Sequence, residues 1–89
     1  MRTLKAESVA TGLIVRQLRE AKGWTRKQLA IMSDLSERAI VQIELGYRGM
    51  GLTVAARVAD ALAVAVDDLL PERERKRLAA GDKAPRGKP

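Results

Sequence analysis

Helix stops and caps punctuate this chain at short intervals, and they leave room only for short helices. Gly23 stands after a first apolar stripe, Thr25 opens a second segment, and Ser36 opens a third that Gly46 closes. Pro71 halts the last one. Gly supplies the left-handed residue that ends a helix. Ser and Thr side chains accept from the first free N–H groups of the next helix. Proline cannot continue a helix. Strand signals are nearly absent, with no alternating β-branched and aromatic runs and no Asn-Gly turns. The expected fold class is all-α.

The helices can be placed from these marks. The first covers roughly Ser8 to Lys22, with Ile14, Val15, Leu18 and Ala21 on one face at about 100° per residue. In Thr25-Arg26-Lys27-Gln28 the Thr and the Gln three residues on fit a capping box. That second helix runs to about Ser33, with Leu29, Ala30 and Met32 on its apolar side. Asp34-Leu35 is a tight link, and Ser36 caps a third helix running to Leu45. Two short helices joined by about three residues form a helix-turn-helix. A fourth helix is expected from Leu52 to about Ala63, with Val54, Ala55, Val58, Ala59 and Leu62 in one stripe. A last short turn runs from Asp67 to Leu70.

Composition narrows the function. The 89 residues make one small domain at most. There is no Cys and no His. Disulfides, thiolate zinc sites, the commonest acid/base residue and the commonest metal ligand are all excluded. No nucleophile–base pair is visible, so no enzyme, metal or cofactor is expected. With no Phe, one Trp and one Tyr, the core must come from Leu, Ile, Val, Ala and Met. The net charge is +6, and it is uneven. Residues 1–71 hold ten basic and eight acidic residues, residues 72–89 seven and three. A basic balance points to a polyanion. The apolar run from Val9 to Val15 is too short for a membrane span and lacks a cleavage site for a signal peptide. A cytoplasmic protein that does not engage membranes is expected.

The third helix carries the functional case. Ala39, Ile40, Ile43 and Glu44 fall on one arc, small and apolar for the most part. Glu37, Arg38, Val41 and Gln42 fall on the other. Arg can donate twice to guanine, Gln can pair with adenine, Glu can accept from cytosine, and Val can touch the thymine methyl. Two readings stay open from periodicity alone. Polar residues on an exposed face are usually just solvated, and Glu37 also suits the helix dipole in the first turn.

The stretch from Thr25 to Gly46 reads TRKQLAIMSDLSERAIVQIELG. It resembles the Cro/phage-repressor helix-turn-helix family, also called the xenobiotic-response-element (XRE) family. Thr25, Leu29, Ala30, Ser36, Ile40, Ile43, Glu44 and Gly46 carry the pattern. Leu18 to Trp24 upstream, and Val58 to Leu62 and Val66 to Leu70 downstream, extend the resemblance over about residues 11–70. It implies a five-helix, lambda-repressor-like DNA-binding domain over residues 11–71. Residues 1–10 would be an extension or the start of the first helix, and 72–89 a basic, largely disordered tail.

The resemblance also implies roles. Glu37, Arg38 and Gln42 stand at base-reading positions with Val41 beside them. Thr25, Arg26, Ser36 and Arg48 stand where the phosphate backbone is touched. Arg19 and Glu44 match a structural pair bridging the first and third helices. Val66, Leu69 and Leu70, near Val64, are candidates for a homodimer interface, though so small a domain needs apolar residues for its own core. Asp34 replaces a usual Gly in the turn, Leu45 a residue that is often polar, and Met50 a frequent Pro. The function implied is sequence-specific binding of double-stranded DNA as a transcription regulator. Two alternatives are an antitoxin, whose tail would bind a toxin, and a non-DNA adaptor that binds another protein partner with the same fold.

Overall fold

The computed structural model describes residues 6–71, with side chains from residue 8 onward. Four α-helices follow in order: α1 (Ala6–Ala21), α2 (Arg26–Ser33), α3 (Glu37–Glu44) and α4 (Leu52–Leu62). A single 3-10 turn, Val66–Leu69, closes the series. No strand occurs among the described residues. The expected fifth helix is therefore this one turn. The basic tail expected over 72–89 lies outside the described residues.

The local chemistry sets each boundary. Gly23 takes a φ of 72°. Its N–H and that of Trp24 donate back to the carbonyls of Glu20 and Arg19 at 2.9 and 3.2 Å, which ends α1. The Thr25 hydroxyl accepts from the Gln28 N–H at 3.1 Å, and the Gln28 side chain accepts from the Thr25 N–H at 2.7 Å. That reciprocal pair is a complete capping box. Asp34 ends α2 at φ 58°, a conformation that Asp tolerates better than most residues. Ser36 caps α3 by accepting from the Ala39 N–H at 3.0 Å. Gly46, at φ 81°, turns the chain out of it.

Ala63 ends α4 at φ 59° with no glycine to relieve the strain. A left-handed conformation costs an L-residue about 1–2 kcal/mol, and glycine gives back part of that through its greater freedom when unfolded. Ala63 is exposed, so no packing is lost on trimming it. Ala63→Gly is expected to stabilise the protein by about 0.5–1 kcal/mol, read as a higher urea midpoint at unchanged slope. A lower midpoint would contradict the strain argument.

The core is aliphatic. Val15 of α1, Leu29 of α2, Ile40 and Ile43 of α3, Val58 of α4 and Leu69 of the final turn are fully buried together. α3 packs against both α1 and α2, α4 packs against α2, and the 3-10 turn packs against α4 and α1. The third helix is thus gripped along one side and left open along the other. Ser33 is buried in the same interior because its hydroxyl donates to the Leu29 carbonyl at 2.7 Å.

Three expectations are corrected. Met32 does not join the apolar side of α2 and is 58 % exposed. Residues two apart on a helix face opposite sides, so Met32 cannot share a face with the buried Ala30. Ala21 is likewise exposed, in the last turn of α1 and rotated away from Val15. Leu69 is 1 % exposed inside the protein's own core, so it is not available to a second copy. Val64, Val66 and Leu70 remain partly exposed.

Candidate nucleic-acid interface

α3 divides into two faces. Ala39, Ile40, Ile43 and Glu44 are buried. Glu37 and Arg38 are exposed, and Val41 and Gln42 are half-buried beside them. The Ser36 cap fixes where this helix starts, so Glu37 and Arg38 occupy its first turn. Leu45 is the C-terminal cap and stands 44 % exposed. The outward face therefore offers a carboxylate, a guanidinium, an amide and a methyl group on one rigid element. That is a donor and acceptor set matched to the major-groove edges of base pairs.

A buried charge node holds this helix in place. Glu44 has no exposed side-chain surface. Its Oε2 accepts from Arg19 Nε at 2.6 Å, and its Oε1 accepts from Arg19 Nη2 at 3.1 Å. Arg19 Nη1 donates to the Trp24 carbonyl at 2.7 Å, which ties the same guanidinium to the link before α2. The hydrogen bond to Glu44 holds the Arg19 pKa above its ordinary value, against the lowering effect of burial. The Coulombic pull of Glu44 and Glu20 adds to it.

A third member of the node is absent from the sequence reading. Arg26 Nε donates to Glu44 Oε1 at 2.9 Å, so the residue expected at the phosphate backbone also clasps α3. The eighteen-residue separation gives no periodic signal that could have revealed this contact. The pair is partly solvated, and such pairs stabilise modestly. Arg26→Ala is expected to lower stability by about 1 kcal/mol, measured by urea unfolding. Loss of several kcal/mol would place Arg26 on a par with Arg19.

The other expected backbone residues stand as follows. The Thr25 and Ser36 hydroxyls sit at the N-termini of α2 and α3, each already accepting from the backbone. Each keeps its O–H proton to donate. Arg48 is exposed in the loop that follows α3. Among the described residues, no group of His, Cys, Asp or Glu could hold a metal ion. No described helix is long and apolar enough to cross a membrane.

Comparison with known proteins agrees with this fold. The helix-turn-helix family model HTH_3 matches residues 15–69. The solved structure of the restriction-modification controller protein C.AhdI from Aeromonas hydrophila is 33 % identical, with a TM-score of 0.67. The match covers 68 % of this chain and 92 % of that one. The chain belongs to the XRE/Cro-type helix-turn-helix family. It is a DNA-binding transcriptional regulator. Two further structures resemble this XRE-type protein. The clp gene regulator ClgR from C. glutamicum is 30 % identical over 86 % of this chain and 92 % of its own, with a TM-score of 0.66. A hypothetical transcription factor, NHTF, from Neisseria is 27 % identical over 88 % of this chain and 94 % of its own, with a TM-score of 0.72. No curated protein sequence matches significantly.

One residue of this XRE-type domain escaped sequence reasoning. Gly12 lies where α1 crosses the C-terminal end of α3. A Cβ there would fall 2.7 Å from the Glu44 carbonyl oxygen and closer still to that of Ile43. In the sequence Gly12 only interrupts an apolar run, and glycine inside a helix is the single faint signal of a close approach.

Proposed function

We propose that this regulator lays α3 in the major groove of double-stranded DNA and reads sequence with the side chains of its outward face. Arg38 and Gln42 are the principal readers, with Val41 between them and Glu37 at the helix start. The observation that carries this reading is the asymmetry of α3. Its inner side is locked by core packing and by Arg19 and Arg26 on Glu44, and its outer side is polar and unobstructed. Thr25, Arg26, Ser36 and Arg48 supply the phosphate contacts that set register. Arg26 reaches a phosphate with its Nη groups while Nε stays on Glu44.

The regulator acts as a homodimer on two half-sites about one helical turn apart. Val64, Val66 and Leu70, partly exposed at the end of the domain, form the contact between copies. The name of C.AhdI, a restriction-modification controller, suggests the kind of gene control this chain exerts. The coverage of that protein is nearly complete, so little of it has no counterpart here.

Two measurements test the reading. Selection of bound duplexes from a random pool is expected to give a consensus with two related half-sites. A pool that stays random would refute sequence-specific binding. Titration of a selected duplex at several salt concentrations is expected to give a log–log slope steeper than about −3, as several phosphate contacts require. Arg48→Ala is expected to weaken all duplexes alike and to make that slope shallower by about 0.9 per protomer. A changed consensus in Arg48→Ala would move that residue from the backbone to the bases.

A further inference from the structure

The outer face of α2 has no part in the DNA contacts proposed above. At about 100° per residue, Arg26, Leu29, Ala30 and Ser33 fall on the inner side of this helix, where they pack on the core or pair with Glu44. Lys27, Gln28, Ile31 and Met32 fall on the opposite side, all exposed. Ile31 is 68 % exposed and Met32 58 %. With Trp24 and Gln28 these two residues line an open groove of about 180 Å³. A cluster of large apolar side chains around a concavity is more than the scattered surface leucine of an ordinary domain.

Two lysines flank the groove. Lys22 places its ammonium 5.2 Å from the centre of the Trp24 ring. Lys27 precedes Ile31 by four residues on the same helix face. Neither lysine forms an ion pair among the described residues, and the first turn of α2 holds no acidic residue. The nearby carboxylates are engaged elsewhere: Glu20 lies 3.0 Å from Arg16, and Asp34 lies 3.9 Å from Arg57. The groove thus presents apolar anchors under two unneutralised lysines.

From this we infer that the α2 groove binds an acidic, amphipathic segment of another protein, one that seats an apolar side chain between Trp24, Ile31 and Met32 and sets carboxylates against Lys22 and Lys27. Charge rules against the other occupants. Residues 72–89 of this chain carry seven basic residues against three acidic, so its own tail is repelled. A second copy brings a net charge of +6. Duplex phosphates would satisfy the lysines and leave Ile31 and Met32 uncovered. The groove residues of α2 lie opposite its inward face of Arg26, Leu29, Ala30 and Ser33, so a partner seated there leaves the packing of α2 on α3 undisturbed.

The test uses the full chain and a displayed library of random twelve-residue peptides. Peptides selected on the wild-type protein are expected to combine an excess of Asp and Glu with one or two large apolar residues. Trp24 is the sole tryptophan, so its fluorescence reports occupancy of the groove directly. Selected peptides are expected to shift its emission saturably. Ile31→Ser/Met32→Ser should lower their affinity at least tenfold with duplex binding unchanged. Lys22→Glu/Lys27→Glu should reverse the charge preference in a fresh selection. No enrichment over the starting library, enriched peptides without acidic excess, or equal binding to the Ile31→Ser/Met32→Ser protein would each overturn the inference. So would a Trp24 shift produced by duplex DNA in competition with the peptide, or one produced by raising the protein concentration alone.

Discussion

Glu44→Ala is expected to destabilise the protein by about 3–5 kcal/mol, the range for breaking one side of a buried ion pair. Glu44 makes the short ion pairs of two guanidiniums in the node, and its side chain is fully buried. Removing it leaves Arg19 almost buried, with only the half-exposed Glu20 at 3.9 Å as a counter-charge and Arg26 close by. A domain of this size has only about 5–10 kcal/mol in total. Each kcal/mol shifts the melting temperature by roughly 4–8 °C, so a fall of at least about 12 °C is expected in a thermal circular-dichroism scan. Replacing Arg19 and Glu44 by apolar residues, Arg19→Met/Glu44→Met, should recover part of the loss, since only the partly solvated Arg26 is then left without its partner. A Glu44→Ala protein within about 1 kcal/mol of the parent would show that the node is solvated and contributes little.

Gly12→Ala is expected to cost about 2 kcal/mol net and to weaken DNA binding with it. A glycine-to-alanine change inside a helix ordinarily gains about 0.5–1 kcal/mol from propensity. Here the new methyl meets backbone, the carbonyls of Ile43 and Glu44, and backbone cannot rotate aside. Such overpacking costs about 1–3 kcal/mol, occasionally more, and relief requires α1 to move off the end of α3. The same shift would pull Arg19 from Glu44, so stability and DNA affinity should fall together. Gly49→Ala is the control. The nearest atom to its new Cβ is the Ser8 hydroxyl at 3.5 Å, an ordinary contact. Urea unfolding of the two variants checks the contrast, and a Gly12→Ala protein as stable as Gly49→Ala would contradict the close crossing.

What the sequence disclosed and what it hid divide along the range of the interactions. The capping box at Thr25 and Gln28, the Ser36 cap and the glycine stops at Gly23 and Gly46 were readable because each acts within a few residues of chain. The outward face of α3 was readable for the same reason, since one helical period sets it. Contacts between distant segments were not. The approach of Gly12 to α3 and the reach of Arg26 to Glu44 depend on how the helices cross. The Arg19–Glu44 pairing came from resemblance, because no spacing rule joins residues twenty-five apart. Met32 is apolar yet exposed, since apolar character does not decide which side of a short helix faces inward, and the outward turn of Ile31 and Met32 is what opens the groove on α2. Ala63 ends α4 in a left-handed conformation that its side chain gives no cause to expect.

Base reading by the outer face of α3 is tested by selecting duplexes from one random pool in parallel with the wild-type protein and with Arg38→Ala. Arg38→Ala is expected to keep the melting temperature and the salt slope of the parent, while its consensus loses preference at one base pair in each half-site, a loss of about 1–3 kcal/mol of discrimination there. An unchanged consensus with uniformly weaker binding would put Arg38 on the phosphate backbone. An unchanged consensus with unchanged affinity would contradict the claim that this face of α3 meets DNA.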